Sequence, residues 1–505
     1  MYAAERNVIY KISENKCMNR KVDMTEKETY NFIALAGRQG ISMGTERMKA
    51  LLAELSNPQD KLKVIHIAGT NGKGSVGAFL EGVLVTAGYS VGRYISPTLF
   101  SYRERIQRSY AEPVQKKAGS DGLEHAVPKP TVLNSQTIEK YLESAEKIPV
   151  QTEWISQGEL NCVMSEIKEA CGRLERQGIS MPTAFEIETA AAFLQCVDWN
   201  VDFMILETGM GGRDDATNVV EKPLATVFTS ISKDHTAVLG DTLEEIARNK
   251  AGIMRSGVPV ISARQENQVD AVLREQAASV GVEYVSLQTD SIWRNGCVCI
   301  NRIHPQNFYL QVFGNWEHFS IKQHGNYQRD NAALALRVLE VLADRGCCNV
   351  TVEHMRRGIY SVRWRGRFDI LQVHPAIVAD GAHNPQGVQK LTESIQMEFP
   401  DVAERAGRVV RLVFGVFQDK AYEEMLGILR EISDTLYAVE LSSPRGLPVE
   451  NLKTAAEQAG FSVRGCGSAQ ELLAQAVKDS EPRDVIVVCG SLSFLGEVYK
   501  CIKEN

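Results

Sequence analysis

The segment His66-Ile67-Ala68-Gly69-Thr70-Asn71-Gly72-Lys73-Gly74-Ser75 places glycines, a lysine and hydroxyls between an apolar run and a helical pattern. Glycines let successive backbone N–H groups turn toward phosphate oxygens, and the start of the next helix adds its dipole. In that setting Lys73 reaches the β- and γ-phosphates of a nucleotide and Ser75 ligates Mg²⁺. Gly69, Thr70, Asn71, Gly72, Lys73, Gly74 and Ser75 are therefore candidate nucleotide contacts. The segment departs from G-x-x-x-x-G-K-[ST], with Ile67 in place of the first glycine and Gly74 after the lysine. A ligand-free strand–helix turn is the plain alternative, and the lysine and hydroxyl together argue against it.

Other residues carry chemistry with less local support. Glu186 stands three residues after Thr183 at the head of an apolar helix. That spacing makes a capping box as readily as it orients a carboxylate toward a ligand. Glu207 ends an apolar strand pattern, where active-site residues of open parallel sheets gather. His235 follows a strand and an aspartate, and Lys250 lies on a helix expected over Thr242–Met254. By type alone, these are a hydrogen-bonded histidine and a solvated helix lysine. Asn331 opens a helical pattern, where its amide serves either as a cap or as the donor–acceptor pair for a purine. Arg367 precedes Asp380 by thirteen residues, and His383 follows Asp380 in a short turn.

The elements that must hold these groups alternate along the chain. Lys63–Ala68 reads as a buried strand and Ser75–Ala87 as a helix stopped by Gly88. Val201–Glu207, Leu224–Ser230 and Val258–Ser262 are further strands, near-continuously apolar, as in a parallel sheet covered on both faces. The fold class is α/β. The last third supplies new strands at Phe368–Val373, Ala376–Asp380, Val409–Gly415, Thr435–Leu441 and Val485–Cys489, with helices such as Tyr422–Ile432 and Glu471–Val477. A helix over Gln328–Ala343 and the basic stretch Arg363-Trp364-Arg365-Gly366-Arg367 precede them. The boundary is placed near Val362, giving domains 1–362 and 363–505. Gln107–Thr152 holds four prolines and many charges. Apart from a helix near Thr137–Lys147 it has no apolar face, and it reads as a mobile surface insertion.

Composition narrows the function. A chain of 505 residues, 44% hydrophobic and 24% charged, exceeds one core and is too apolar for disorder. It has no apolar stretch of about 18 residues to span a bilayer, and Met1–Tyr30 contains no secretory apolar core. A net charge of −7 gives no reason to expect nucleic acid or an anionic membrane as partner. Eleven cysteines, without paired C-x-x-C spacings, read as reduced, mostly buried thiols in a cytoplasm.

The loop Gly69–Ser75, GTNGKGS, resembles the nucleotide loop of the Mur ligase superfamily, in the form of folylpolyglutamate synthases and bifunctional dihydrofolate synthases. Further matches follow in family order. Leu55-Ser56-Asn57-Pro58 resembles L-G-N-P. Ser96-Pro97-Thr98-Leu99 with Glu104-Arg105-Ile106 resembles S-P-H-L…E-R-I, and Thr183-Ala184-Phe185-Glu186 resembles T-x-F-E. Glu207–Asp214 with Asp215-Ala216-Thr217-Asn218 resembles E-x-G-x-G-G-R-x-D-x-T-N. Thr229-Ser230-Ile231, Asp234-His235 and Lys250-Ala251-Gly252-Ile253 resemble T-S-I…D-H…K-A-G-I. Asp380–Pro385 resembles D-G-A-H-N-P.

The resemblance implies a P-loop-containing parallel-sheet domain that binds ATP, followed by a smaller Rossmann-like α/β domain. It implies two Mg²⁺ ions, with Ser75, Glu186, His235 and a carbamylated Lys250 as their ligands, and a monovalent cation such as K⁺. It further implies Asn331 at adenine, Arg367 at the phosphates, and Asp380 and His383 on a face closing over the nucleotide. Thr98, Asn249, Ala421 and Gly446 depart from the family pattern, and Thr98 borders the folate site. The implied reaction is ATP-dependent addition of L-glutamate to the γ-carboxylate of a reduced folate through an acyl phosphate, with dihydropteroate as a second acceptor. A monomer acting only on small molecules is expected. A Mur-type ligase for cell-wall precursors needs a substrate domain before the nucleotide loop, and only 68 residues precede Gly69. A regulator that binds nucleotide without catalysis would not need Lys73, Glu186, His235 and Lys250 together.

Overall fold

Two sheets carry the molecule, and their facing loops build one cavity. The computed structural model describes residues 24–40, 43–112, 150–287, 305–403 and 408–503. The first sheet contains β1 (Val64–Ala68), β2 (Val91–Tyr94), β3 (Ile106–Ala111), β4 (Val150–Trp154), β5 (Phe203–Glu207), β6 (Ala225–Phe228), β7 (Val260–Ser262) and β8 (Tyr284–Ser286). Their order is β4-β3-β2-β5-β1-β6-β7-β8. From β2 to β8 every pairing is parallel, whereas β3 and β4 are antiparallel additions at one edge. All residues of β1 and β5 are buried, as their unbroken apolar pattern requires.

Helices cover both faces. Lys73–Thr86 lies against one face and is crossed closely by Val352–Ser361. Gly82 and Gly358 permit that crossing, because a Cβ on Gly82 would lie 2.7 Å from the Gly358 carbonyl and one on Gly358 would lie 2.4 Å from Val83 Cα. Gln157–Arg176 and Ala184–Asp198 cover the other face together with Glu26–Gly37 and Glu46–Glu54. A separate antiparallel hairpin, β9 (Gln306–Val312) and β10 (Asn315–Ile321), packs beside the helix Tyr327–Asp344.

The second sheet contains β11 (Asp369–Val373), β12 (Ala376–Ala379), β13 (Val410–Phe414), β14 (Thr435–Val439), β15 (Ser462–Gly467) and β16 (Val485–Cys489), in the order β11-β12-β16-β13-β14-β15. Only β11 runs antiparallel to its neighbour. The architecture is α/β in both halves, each with its own buried clusters.

The segment Gln107–Thr152 is corrected at its ends. Gln107–Ala111 and Val150–Thr152 are sheet residues, with Ser109 opposite Thr152 and Ala111 opposite Val150. The Arg108–Glu153 ion pair (2.8 Å) and the Ser109–Thr152 hydroxyl contact (2.7 Å) fasten the two strands. The expected helix Thr137–Lys147 lies outside the described residues. Cys171, Cys196, Cys348 and Cys489 are buried free thiols. Among the described residues no helix is long and apolar enough to cross a membrane.

Candidate active site

Loops after β1, β5 and β6 face the loop after β12 across a cavity of about 540 Å³. The β1 loop forms one wall. Gly69 has φ +152°, and a Cβ there would sit 1.9 Å from Thr229 Oγ1. Gly72, at φ +94°, begins the helix in the left-handed region that glycine tolerates best. Thr70 and Asn71 donate backbone N–H groups to the Ser230 carbonyl at 2.8 and 3.2 Å, tying this loop to the end of β6. Lys73 Nζ donates to the Gly69 carbonyl at 3.0 Å, and burial lowers its pKa. Ser75 Oγ is buried without a hydrogen-bond partner.

Glu207, at the end of β5, contributes a buried carboxylate to the same cavity. Burial raises its pKa, against the opposing pull of Arg93 and Lys73. Lys250 is also buried, and Nζ donates to the Gly69 carbonyl at 3.0 Å. Burial, reinforced by the charge of Lys73, lowers its pKa to about 7. His235 adopts φ +52° at the start of a short helix and lines the cavity, its pKa lowered by burial. Beside it, burial alone would raise the Asp234 carboxyl. The Lys420 ammonium at 2.7 Å outweighs that and holds it well below the usual carboxylate range.

The opposite wall belongs to the second sheet. Asp380 accepts hydrogen bonds from the Tyr327 hydroxyl (2.6 Å) and from the backbone N–H groups of Phe368 (2.8 Å) and Ala382 (2.7 Å). It thereby fixes the turn that presents His383. The His383 ring contacts the Gly381 carbonyl at 2.7 Å, and burial lowers its pKa to about 4, leaving it neutral near pH 7. Arg367 and Asn331 line the cavity, the latter donating to Gln328 Oε1 at 3.0 Å.

Side-chain amides join the walls. Asn71 and Asn384 exchange reciprocal hydrogen bonds of 3.2 and 3.0 Å. Asn71 also donates to Gln386 Oε1 at 2.9 Å, which accepts from Ser230 Oγ at 2.8 Å.

Glu186, expected to ligate Mg²⁺, is not among the residues that line this cavity. Its Oε2 accepts from Thr183 N (2.7 Å) and Thr183 Oγ1 (2.9 Å) in a complete capping box, and pairs with Arg47 at 2.7 Å. The helix start consumes that oxygen while Oε1 is buried without a hydrogen-bond partner, and the buried glutamate that lines the cavity is Glu207. Among the described residues, no three His, Cys, Asp or Glu side chains cluster tightly enough to hold a metal alone. The unpartnered Ser75 hydroxyl and Glu207 instead suit an ion such as Mg²⁺, which keeps few protein ligands and takes others from phosphates and water. The residues present therefore fit a metal–nucleotide. Lys420 and Arg93 were missed in the sequence. Lys420 follows Asp419 in a loop, and Arg93 interrupts an apolar strand, which is a signal in itself.

Two family models match the chain: the Mur ligase middle domain over residues 158–339 and the Mur ligase glutamate ligase domain over 366–492. They define a Mur-type ligase. The chain is 32% identical to the dihydrofolate synthase/folylpolyglutamate synthase of Bacillus subtilis, over 92% of this chain and 96% of the relative. It is 30% identical to the Escherichia coli protein of the same description, over 92% of each. Among solved structures it resembles the Mycobacterium tuberculosis folylpolyglutamate synthase complexed with ADP and AMPPCP (TM-score 0.76, 27% identity, 95% of this chain and 100% of that one). It also resembles E. coli FolC in complex with DHPP and ADP (TM-score 0.75, 27% identity, 96% and 99%). The chain belongs to the folylpolyglutamate synthase/dihydrofolate synthase family, whose members are ATP-dependent ligases forming carbon–nitrogen bonds.

Proposed function

We propose that residues 1–362 bind ATP, that residues 363–505 close over it, and that the chain joins L-glutamate to the γ-carboxylate of a reduced folate or to dihydropteroate. One observation carries this reading: Lys73, Ser75, Glu207, His235 and Lys250 from one sheet share a cavity with Arg367, Asp380 and His383 from the other. A carboxylate is a poor electrophile. The acceptor's carboxylate oxygen attacks the γ-phosphorus, releasing ADP and leaving an acyl phosphate. The amine of glutamate then attacks that carbonyl, and inorganic phosphate departs with its bonding pair. Phosphoryl transfer asks mainly for positioning and charge neutralisation.

With the Thr70 and Asn71 N–H groups committed to Ser230, the backbone N–H groups of Gly72–Ser75 cradle the phosphates, while Lys73 and Arg367 approach them from opposite walls. Asn331 receives the adenine. Ser75, Glu207 and His235 would hold Mg²⁺, which supplies further neutralisation of phosphate charge. Lys250, with its ammonium destabilised by burial and by Lys73, exposes the neutral amine that CO₂ converts to a carbamate. The displaced proton leaves to solvent, and the resulting anion would supply a ligand to a second ion. The working unit is a cytoplasmic monomer acting on small molecules, with two Mg²⁺ ions and a monovalent cation such as K⁺. Release of ADP, measured with dihydropteroate and tetrahydrofolate side by side, tests the reading. Release must depend on both L-glutamate and the pterin acceptor, and nucleotide hydrolysis indifferent to both would refute it.

A further inference from the structure

Arg93 lies on β2 in the middle of the first sheet, and its side chain is completely buried. Its Nη1 donates to Glu81 Oε2 at 2.8 Å. Its Nη2 donates to the Gly74 carbonyl at 3.0 Å and approaches Glu207 Oε1 at 3.5 Å. The ring of Trp364, from the segment between the two sheets, covers the guanidinium at 4.4 Å. Space for this arrangement comes from Gly77, where a Cβ would lie 3.1 Å from Arg93 Nη2 and 3.4 Å from Glu207 Oε1.

An apolar residue would pack such a strand without the desolvation penalty of a buried cation. Arg93 also spans two elements that must agree in position. Gly74, whose carbonyl it holds, immediately precedes Ser75, and Glu207 ends the neighbouring strand. Planar guanidinium forks suit this task, because their donors are fixed relative to one another.

We propose that Arg93 is a positioning residue for the metal–nucleotide: it aims the Glu207 carboxylate and fixes the first turn of the loop helix, so that Glu207 and Ser75 Oγ address one ion. This inference rests on the reading of Ser75 and Glu207 as Mg²⁺ ligands. Groups that orient metal ligands from behind typically change metal affinity by about 10–100-fold when removed.

Calorimetric titration of ADP into the full-length protein, in Mg²⁺ and in EDTA, tests it. The double variant Arg93→Met/Glu81→Met removes the buried cation together with its main counter-charge. It is expected to diminish the Mg²⁺-dependent tightening of ADP binding about tenfold or more, with the affinity in EDTA unchanged. Arg93→Lys, which keeps the charge but loses the fork, is expected to fall between. A wild-type gain from Mg²⁺ in the double variant overturns the proposal, as does equal weakening in both buffers. Should the double variant fail to fold, Arg93→Lys decides by the same comparison. Glu207→Gln separates the two levels: if it keeps the Mg²⁺ gain, the ligand reading itself falls. If it loses that gain while the Arg93 variants keep theirs, only the role of Arg93 falls.

Discussion

The helix start at Thr183 and the strand end at Glu207 each offer a buried carboxylate, and the two are used in opposite ways. At the helix start, orphan backbone N–H groups and the Thr183 hydroxyl lie within reach of Glu186, and Arg47 completes its surroundings. At the strand end, the carboxylate of Glu207 leaves the sheet where neighbouring parallel strands also terminate, beside Lys73 and Lys250. A carboxylate close in sequence to backbone donors is absorbed by them, while one at the carboxyl edge of a parallel sheet remains available to a ligand.

Substitutions can break this contrast. Glu207→Gln should lower kcat by about 10²–10³-fold with the thermal midpoint held, since it removes charge from the reacting end of the cavity. Unchanged steady-state ADP release would erase the distinction. Lys73→Ala, on the same wall, is expected to reduce turnover at saturating ATP by about 10²-fold. Lys250→Arg should be inactive because arginine cannot be carbamylated. Lys250→Ala should regain part of its activity, about tenfold above its own background, in acetate or formate. An active arginine variant would leave Lys250 a plain ammonium.

Glu186→Gln sharpens the other side. Turnover should stay within about threefold, while stability in urea falls by about 1–2 kcal/mol as a charged cap and its ion pair become neutral. The smallest effect is expected from excising residues 115–148 and closing β3 to β4 with a short turn. Folding and ADP release should persist, because the entropy of closing the chain between two paired strands changes only slowly with its length. Excision of the whole span Gln107–Thr152 should instead disrupt the sheet edge, which circular dichroism and a thermal melt would register.

Much of the fold could be read from apolar runs. β1, β5, β6 and β7 are short, central and nearly continuous in hydrophobic character, so periodicity finds them. β2 eludes that test because Val91–Tyr94 contains a glycine and Arg93, whose burial depends on distant carboxylates. β4 and β15 are polar, partly exposed edge strands, and a sheet edge imposes weak patterning. The loop Gly69–Ser75 was legible because its chemistry is contiguous. Asp234–Lys420 and Arg93–Glu207 were not, since each joins residues that only the folded chain brings together. Glu186 is ambiguous in the sequence because one spacing serves both a cap and a ligand, and in the folded chain its Oε2 serves the cap.

The hydrogen bonds joining Asn71 and Ser230 to Asn384 and Gln386 have a kinetic consequence. Each is a neutral contact between amides or a hydroxyl, for which water is a close substitute, so its net hold is about 0.5–1.5 kcal/mol. Such a seam opens one bond at a time as solvent enters. Asn71 also belongs to the loop proposed to cradle the phosphates, so on that proposal departure of spent nucleotide and wetting of the seam draw on the same side chain. Parting of the walls is resisted less by these neutral bonds than by the buried Asp234–Lys420 ion pair and by Leu99 and Phe100, which pack against the second half and must yield as well.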